Sequence, residues 1–510
     1  MQLNPESTYN ADKTAQLMPR SWSEQPVLAA VLAIFMYCIY YFVICQLPVF
    51  GIPTFRIDYS VATVTTAGND PLALLVGARP VAEIYLYVQS LVAKHLFNGQ
   101  GKYIIYPLQH IALLIYFISI AKVIESILNF KFNIFSILGA WLLFVVNPGA
   151  IEGVYKLETI VGTLSMLFGG VALMYLVNWD RDKQRSSAIF FILFYALSLF
   201  SKEDFILPPL VLLGWYLVRN NDWQQEVHKY KEILIATFSV LFLFLIFNKF
   251  IIAHRSYMDP VQQSGHPYFM SLNPVSVLNV VYYYLTGFYR HIKILTVLYV
   301  ASSFIAIMMM RSRIKEILVI VLIVLCLMAP YSIMPNHLFS YYGLKWWAWQ
   351  TLTTLALAQL ILASRSVLAT ALLSSIILVF AYKTTDRNVS NYFRTNFAIS
   401  NNMQISLSMN RELINAQKKV AVIGIGPGQI SNSPWQGNGE TEFYLRNDLN
   451  TDTQWIVFVE SGDDRYVIDN RQQPNFYVNK KVIVLDRKEL EGFGTVPQFV
   501  FSPDGQGRFK

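Results

Sequence analysis

One feature constrains this chain more than any other: apolar blocks long enough to cross a bilayer recur from residue 25 to residue 382. A helix needs about 20 apolar residues to span the hydrocarbon core. Inside that core, backbone polar groups must be satisfied within the segment, so the blocks predict helices. The pattern predicts an α-helical polytopic membrane protein with about eleven transmembrane helices. They fall near residues 26–47, 103–124, 132–149, 157–178, 187–201, 203–219, 232–252, 291–310, 314–334, 346–364 and 366–382. The fifth and sixth are short, and a turn at Ser201–Asp204 makes them a shortened pair. Beyond residue 382 the chain turns polar and rich in Asn, Gln, Asp, Gly and Pro. The expected organisation is a transmembrane domain over 1–382, a polar, Asn-rich connector over 383–411 able to hold a helix, and a small soluble α/β domain over 412–510. Only 14% of the 510 residues are charged, against about 25% in soluble domains.

Orientation follows from the loops. Lys13 and Arg20; Lys122 and Lys131; Arg181, Lys183 and Arg185; Arg219, Lys229 and Lys231; Arg311, Arg313 and Lys315; and Arg365 occupy one alternate set. Short basic loops mark the cytoplasmic side. The N-terminus is then cytoplasmic and the C-terminal domain lies on the opposite side, outside the cell's nucleotide pool. The formal net charge of +8 reads as topological anchoring rather than nucleic-acid binding, since no basic stripe carries interleaved aromatics. Cys38, Cys45 and Cys326 all lie in apolar segments and read as small buried hydrophobes, with no metal or disulfide spacing. Residues 1–24 are polar and the first apolar block is too long for a signal peptide, so it reads as a retained span.

The outward loops hold the candidate chemistry. The first reads FRIDYS, then GND, then GARPVAEIYLYVQSLVAKHLF. Asp58 sits there beside Arg56 and Tyr59, as a solvated carboxylate or as a catalytic base. Val81 to Phe97 has the spacing of an amphipathic interfacial helix, with Arg79 and Glu83 near its start. In the second loop, NPGAIEGVYKLET, Pro148 and Gly149 break the helix. Glu152 and Lys156 follow at helical spacing, either paired with each other or functional. The third is the turn SLFSKEDFILPP, with Lys202, Glu203 and Asp204 consecutive between apolar runs. They either end two helices or face an anionic donor, with Lys202 as the cation and Glu203 as its partner. The fourth loop carries His254, Arg255, Arg290, His291 and Lys293, all able to meet a phosphate, and a run of tyrosines suited to an interfacial belt. In the fifth, His337, Tyr341, Tyr342 and Lys345 stand just above the next span.

In order and placement these elements resemble the GT-C glycosyltransferases, membrane enzymes that use polyprenyl-phosphate or polyprenyl-diphosphate sugars. Four features carry the resemblance across residues 26–382. Asp58 follows the first span. The Gly77–Tyr85 run looks like the corresponding element of bacterial O-antigen glucosyltransferase-type members. The Ser201–Asp204 turn is similar to a common S-K-E turn. Pro335–Tyr342 resembles a late P-x-H element, with Ser340 where Arg is common. The resemblance implies a bacterial inner-membrane transferase with a periplasmic C-terminal domain, embedded in the lipid bilayer. It moves sugar from a polyprenyl-phosphate-linked donor to an envelope glycan, a lipid or a surface protein such as pilin. Asp58 is the implied general base. Lys202, Arg255, Arg290 and His337 are the implied cations for the phosphate leaving group. Glu203 and Tyr341 complete the donor site; Arg79, Glu83, Glu152, Lys156 and His254 are possible supports. No metal and no separate cofactor is expected, and a second acid, if present, lies among Asp70, Glu83 and Glu152.

In the C-terminal region Lys419–Ile425 reads as a buried strand and Gly426–Gly428 as a turn. Further strands are expected at Gln454–Val459, Lys481–Leu485 and Phe499–Ser502. The G-x-G-P-G string does not read as a dinucleotide site, because a proline interrupts it and no clear helix follows. Ser433, Trp435, Asn438, Tyr444 and Arg446 suit either a glycan contact or ordinary packing. A transporter of a lipid-linked sugar and a non-catalytic assembly protein are the competing function classes. Midplane charges and internal repeats, which mark transporters, are not evident in the sequence.

Overall fold

The fold is that of a computed structural model, which describes residues 26–47, 79–96, 102–155, 160–219, 222–252, 269–287, 290–336, 338–362, 387–425, 453–459 and 482–510. The chain divides into two compact units. One comprises Met1–Ile44, Ala112–Gly153 and Gly162–Asp386; the other comprises Cys45–Ile111, Val154–Val161 and Arg387–Lys510.

Most of the helices follow the apolar blocks. They are α1 (Pro26–Cys38, continued as a π-helix to Ile44), α2 (Pro80–Leu96), α3 (Lys102–Ile127), α4 (Ile134–Val145), α5 (Pro148–Tyr155), α6 (Ile160–Asp182), α7 (Arg185–Ser201), α8 (Pro208–Val218), α9 (Trp223–Phe247), α10 (Pro274–Thr286), α11 (Arg290–Met309), α12 (Ile314–Ser332), α13 (Leu344–Leu362) and α14 (Arg387–Met409). Six helices among the described residues are long and apolar enough to cross a membrane, and α4 with α5 forms a further pair bent by 68°. The expected span at 366–382 lies outside the described residues.

The 68° bend has a local cause. Pro148 cannot donate to the preceding turn and suits a first helical position. Asn147 then caps the new helix, its Oδ1 accepting from Gly149 N at 2.9 Å. Close packing fixes the break in place. A Cβ on Gly149 would lie 2.4 Å from the Trp347 ring, and one on Gly153 would lie 2.2 Å from the Leu344 side chain.

Helix α13 carries Gln350, Thr351, Thr353 and Thr354 yet is buried along most of its length, as are Trp346, Trp347 and Trp349. It packs against α4 and α11, so its polar groups are wrapped by protein and need not satisfy the lipid scale. Helix α10 occupies sequence read as loop. Asn273 caps it, accepting from Val275 N at 2.9 Å, and Pro274 starts it.

The basic loops between α6 and α7 and between α8 and α9 meet at Asp180. Arg219 donates to both its oxygens, at 2.8 and 2.9 Å, and Lys183 donates at 3.0 Å. Tyr230 completes the set by donating to the same carboxylate. These positive charges therefore also tie three helices together at one end.

The second unit contains a five-stranded sheet of order β3-β2-β1-β4-β5, formed by β1 (Lys419–Ile425), β2 (Gln454–Val459), β3 (Val482–Asp486), β4 (Gln498–Phe501) and β5 (Gly507–Phe509). Strands β1 to β4 are parallel and β5 is antiparallel to β4. All the expected strands are present, and β5 is additional. Strand β1 is apolar on both faces, as a central parallel strand must be. Val420 and Val422 pack with Trp455, Phe499 and Phe501, while Ala421 and Ile423 face Ile456 and Phe458. The register with β2 shifts between Val422 and Ile425. Ile425 thereby rejoins the face of Val422. Gly424 makes this possible: its φ is +88°, and a Cβ there would lie 2.0 Å from the Phe501 carbonyl oxygen. Helix α14, in sequence read as a connector, contributes Ile399, Met403 and Leu407 to the sheet's core. Elsewhere in this unit Phe397 lies against Tyr155 at 5.3 Å, and Arg394 donates to Gln46 at 2.6 Å.

Candidate active site

The site grows from the turn after α7. Pro208 and Pro209 open α8 and prevent one continuous helix through this region. The intervening residues form an extended Lys202 (φ −167°, ψ 148°) and a short 3-10 turn, Glu203–Phe205. Two serines moor this turn to α6. Ser165 Oγ donates to the Lys202 carbonyl at 3.0 Å, and Ser198 Oγ donates to the Ser165 carbonyl at 2.9 Å. The Phe205 ring fills the space over Gly169, where a Cβ would approach it to 2.3 Å.

Three charged side chains of this region are buried: Lys202 at 8% exposure, Asp204 at 1% and Lys345 at 1%. Lys345 Nζ lies 2.6 Å from Asp204 Oδ2. Tyr331, near the end of α12, donates to Asp204 Oδ1 and accepts from Lys345. The Tyr331 and Tyr342 rings stack with centroids 4.3 Å apart. Lys202 Nζ stands 4.3 Å from the Tyr342 centroid, and Lys345 Nζ stands 4.3 Å from that of Tyr331. Each ammonium is thus held against an aromatic face, where the ring quadrupole favours it. The Lys345 backbone is fixed as well, its carbonyl accepting from Tyr116 at 2.6 Å. Lys345 and the Tyr331 hydroxyl between them face both oxygens of the Asp204 carboxyl group.

A short 3-10 helix, Ser340–Gly343, leads into α13. At one end Ser340 Oγ donates to Glu152 on α5, and Tyr342 joins the stacked pair at the other. Tyr284 of α10 closes another side, its ring edge-on to Trp346 at 5.2 Å and to Tyr331 at 6.5 Å. The cluster pairs two ammonium groups with one carboxylate inside an aromatic enclosure. Two buried ammonium groups are donors of charge-assisted hydrogen bonds, which an oxyanion such as phosphate accepts well.

Of the expected site residues, Lys202 and Glu152 are brought to this region, with Tyr341 adjoining it, its ring 4.6 Å from that of Tyr342. Glu203 is half-buried; the acid drawn among the lysines is its neighbour Asp204. Glu152 has Ser340 as a partner. Arg79 and Glu83 belong to the other unit, where Arg79 N donates to Glu83 Oε1 at 3.4 Å at the start of α2. Arg290 is the first residue of α11. Asp58, Asp70, Lys156, His254, Arg255 and His337 lie outside the described residues. Tyr331 was not anticipated, because a single tyrosine in an apolar run carries no local signal. Asp204 and Lys345 were visible as charges at span ends, but their pairing across 141 positions of sequence is a tertiary fact. Among the described residues no group of three His, Cys, Asp or Glu side chains is placed to hold a metal ion.

No family model matches the sequence, and no curated protein matches it. Among solved structures, ArnT from Cupriavidus metallidurans bound to undecaprenyl phosphate is similar over 94% of this chain and 94% of its own, with 13% identity and a TM-score of 0.47.

Proposed function

We propose that this chain is a membrane glycosyltransferase of GT-C type that moves a sugar from a polyprenyl-phosphate donor to an acceptor on the non-cytoplasmic face. The observation that carries the reading is the buried Lys202–Asp204–Lys345 cluster with its two stacked tyrosines. It lies where the apolar helices α7 and α12 end and α13 begins, which suits a donor whose phosphate joins an apolar tail.

In this reading the acceptor hydroxyl attacks the anomeric carbon and loses its proton to Asp58. The carbon–oxygen bond to phosphate breaks, and polyprenyl phosphate departs with the bonding electrons. Lys202 and Lys345 stabilise the charge that grows on the leaving phosphate, the interaction that lowers the barrier most directly. Arg255, Arg290 and His337 are proposed as further cations, Tyr341 and Glu203 as neighbours of the donor sugar, and Arg79, Glu83, Glu152, Lys156 and His254 as supports. The C-terminal domain is assigned to the periplasm, with an envelope glycan, a lipid or a surface protein as acceptor.

The test is a transfer assay on the full chain in nanodiscs, using polyprenyl-phosphate-linked radiolabelled sugar and an envelope extract as acceptor. The wild type transfers label and releases polyprenyl phosphate. Asp58→Asn loses at least about 100-fold in kcat while still binding donor. Full activity in that variant removes Asp58 from its role. Wild-type movement of donor across the bilayer without sugar transfer would identify a transporter instead.

A further inference from the structure

Helices α11 and α13 carry polar groups inside the bundle that the protein does not pair. Thr296 Oγ1, Tyr299 Oη and Ser303 Oγ on α11 have no hydrogen-bond partner among the described residues, nor do Trp346 Nε1, Gln350 Oε1 and Thr353 Oγ1 on α13. All six side chains are more than nine-tenths buried. Their neighbours on the same helices behave differently. Thr351 Oγ1 donates to the Trp347 carbonyl at 3.0 Å, Thr354 Oγ1 to the Gln350 carbonyl at 2.7 Å and Ser302 Oγ to the Tyr299 carbonyl at 3.1 Å. A hydroxyl that does not bond back to its own helix in this way is left to a partner between helices.

The six positions form two arcs. At about 3.6 residues per turn, 296, 299 and 303 lie within about 60° of one another, and so do 346, 350 and 353. The first arc is the buried side of α11, shared with Ile292, Leu295 and Ala306, and α11 packs against α13, α10 and α12. Trp346 turns the second arc toward α10 and α12, its ring 5.2 Å from that of Tyr284 and 6.1 Å from that of Tyr331. Both arcs therefore face the interior shared by α10 to α13. They begin behind the aromatic wall of the lysine cluster and run for about 10 Å toward the Met309 end of α11.

The set is uncharged and mixed. Trp346 Nε1 only donates, Gln350 Oε1 only accepts, and the four hydroxyls do both. An anion would meet the acceptor oxygen unfavourably, and a cation would meet the donors unfavourably. A small neutral molecule that both donates and accepts suits all six, and water is the smallest. We propose that this seam is a built site for internal water, taking on the order of two or three molecules at about three hydrogen bonds each. The inner wall of the lysine cluster is then backed by a hydrated seam inside the bundle. The inference does not depend on the transfer reaction.

Radiolytic hydroxyl-radical footprinting of the full chain in nanodiscs, read by mass spectrometry, tests it, because a bound water yields its radical in place. Tyr299 and Trp346 are expected to oxidise faster than Tyr195, which is buried but donates to the Ile206 carbonyl, and faster than the buried Phe191. Oxidation no faster than in these two overturns the proposal. Thermal midpoints of Thr296→Val, Ser303→Ala and Thr353→Val supply an independent sign. Removing a hydroxyl that holds a water leaves the water short of a partner, and the midpoint falls. Removing one that is unpaired in the folded chain relieves a burial penalty, and the midpoint rises. A fall is expected in at least two of the three, and fewer than two overturns the proposal.

Discussion

At the scale of single residues, the site depends on a charge arrangement that no one side chain makes alone. Lys345→Met keeps the length of the side chain and removes its ammonium. Asp204 is then left buried with a weaker set of partners, and breaking such a pair costs on the order of 3–5 kcal/mol. The expected outcome is a clear drop in thermal midpoint, read by fluorescence in detergent, together with loss of donor binding. An unchanged midpoint would remove Asp204–Lys345 from the account of stability. Lys202 was legible from sequence because three consecutive charges interrupt an apolar run, and such an interruption requires a reason. The choice between Glu203 and Asp204 was not legible. Adjacent residues of a 3-10 turn point in different directions, and which one faces inward depends on where α12 and α13 lie. Tyr331 was invisible for the same reason.

At the scale of elements, periodicity and breakers carried most of the information. Pro148-Gly149 was read as a break and the structure turns there, whereas the sixth span was drawn from 203 through Pro208-Pro209, and the helix starts only at that pair. The glycine-rich end of β1 was read as a turn at 426–428, yet the position that most constrains the strand is Gly424. Its carbonyl contact and positive φ follow from the register shift against β2, which sequence spacing does not disclose. Gly424→Ala therefore costs about 2–3 kcal/mol, combining an unfavourable backbone region with a steric shift. Limited proteolysis of the purified chain should detect it as faster cleavage within 387–510 and unchanged cleavage elsewhere. Helix α10 was read as loop because its tyrosines suggested an interfacial belt. Its cap, Asn273-Pro274, was present in the sequence and is the signal that would have located it.

At the scale of the whole molecule, the helical membrane region and the small C-terminal sheet were both legible from composition alone. A helix in the 383–411 connector was expected, but its place in the sheet's core was not legible, since its polar sequence conceals Ile399, Met403 and Leu407 at helical spacing. Alternate basic loops predict that the sheet and the Arg181 loop lie on opposite sides of the membrane. Glu491→Cys and Arg181→Cys are both at exposed positions. In cells with a permeabilised outer barrier and an intact inner membrane, an impermeant maleimide should label the first and spare the second. Reversed labelling would invert the whole orientation, and equal labelling of both would require an odd number of spans to be added or removed between them.

The central claim is that the buried lysine pair holds the phosphate of a lipid-linked donor. The most direct measurement is the affinity of the full chain in nanodiscs for polyprenyl phosphate itself, compared between the wild type and Lys202→Gln, a substitution that leaves the Lys345–Asp204 pair in place. Saturable binding by the wild type is expected, weakened at least about tenfold in the variant, since a charge-assisted hydrogen bond contributes about 1.5–3 kcal/mol. Equal affinity in the two proteins would contradict it.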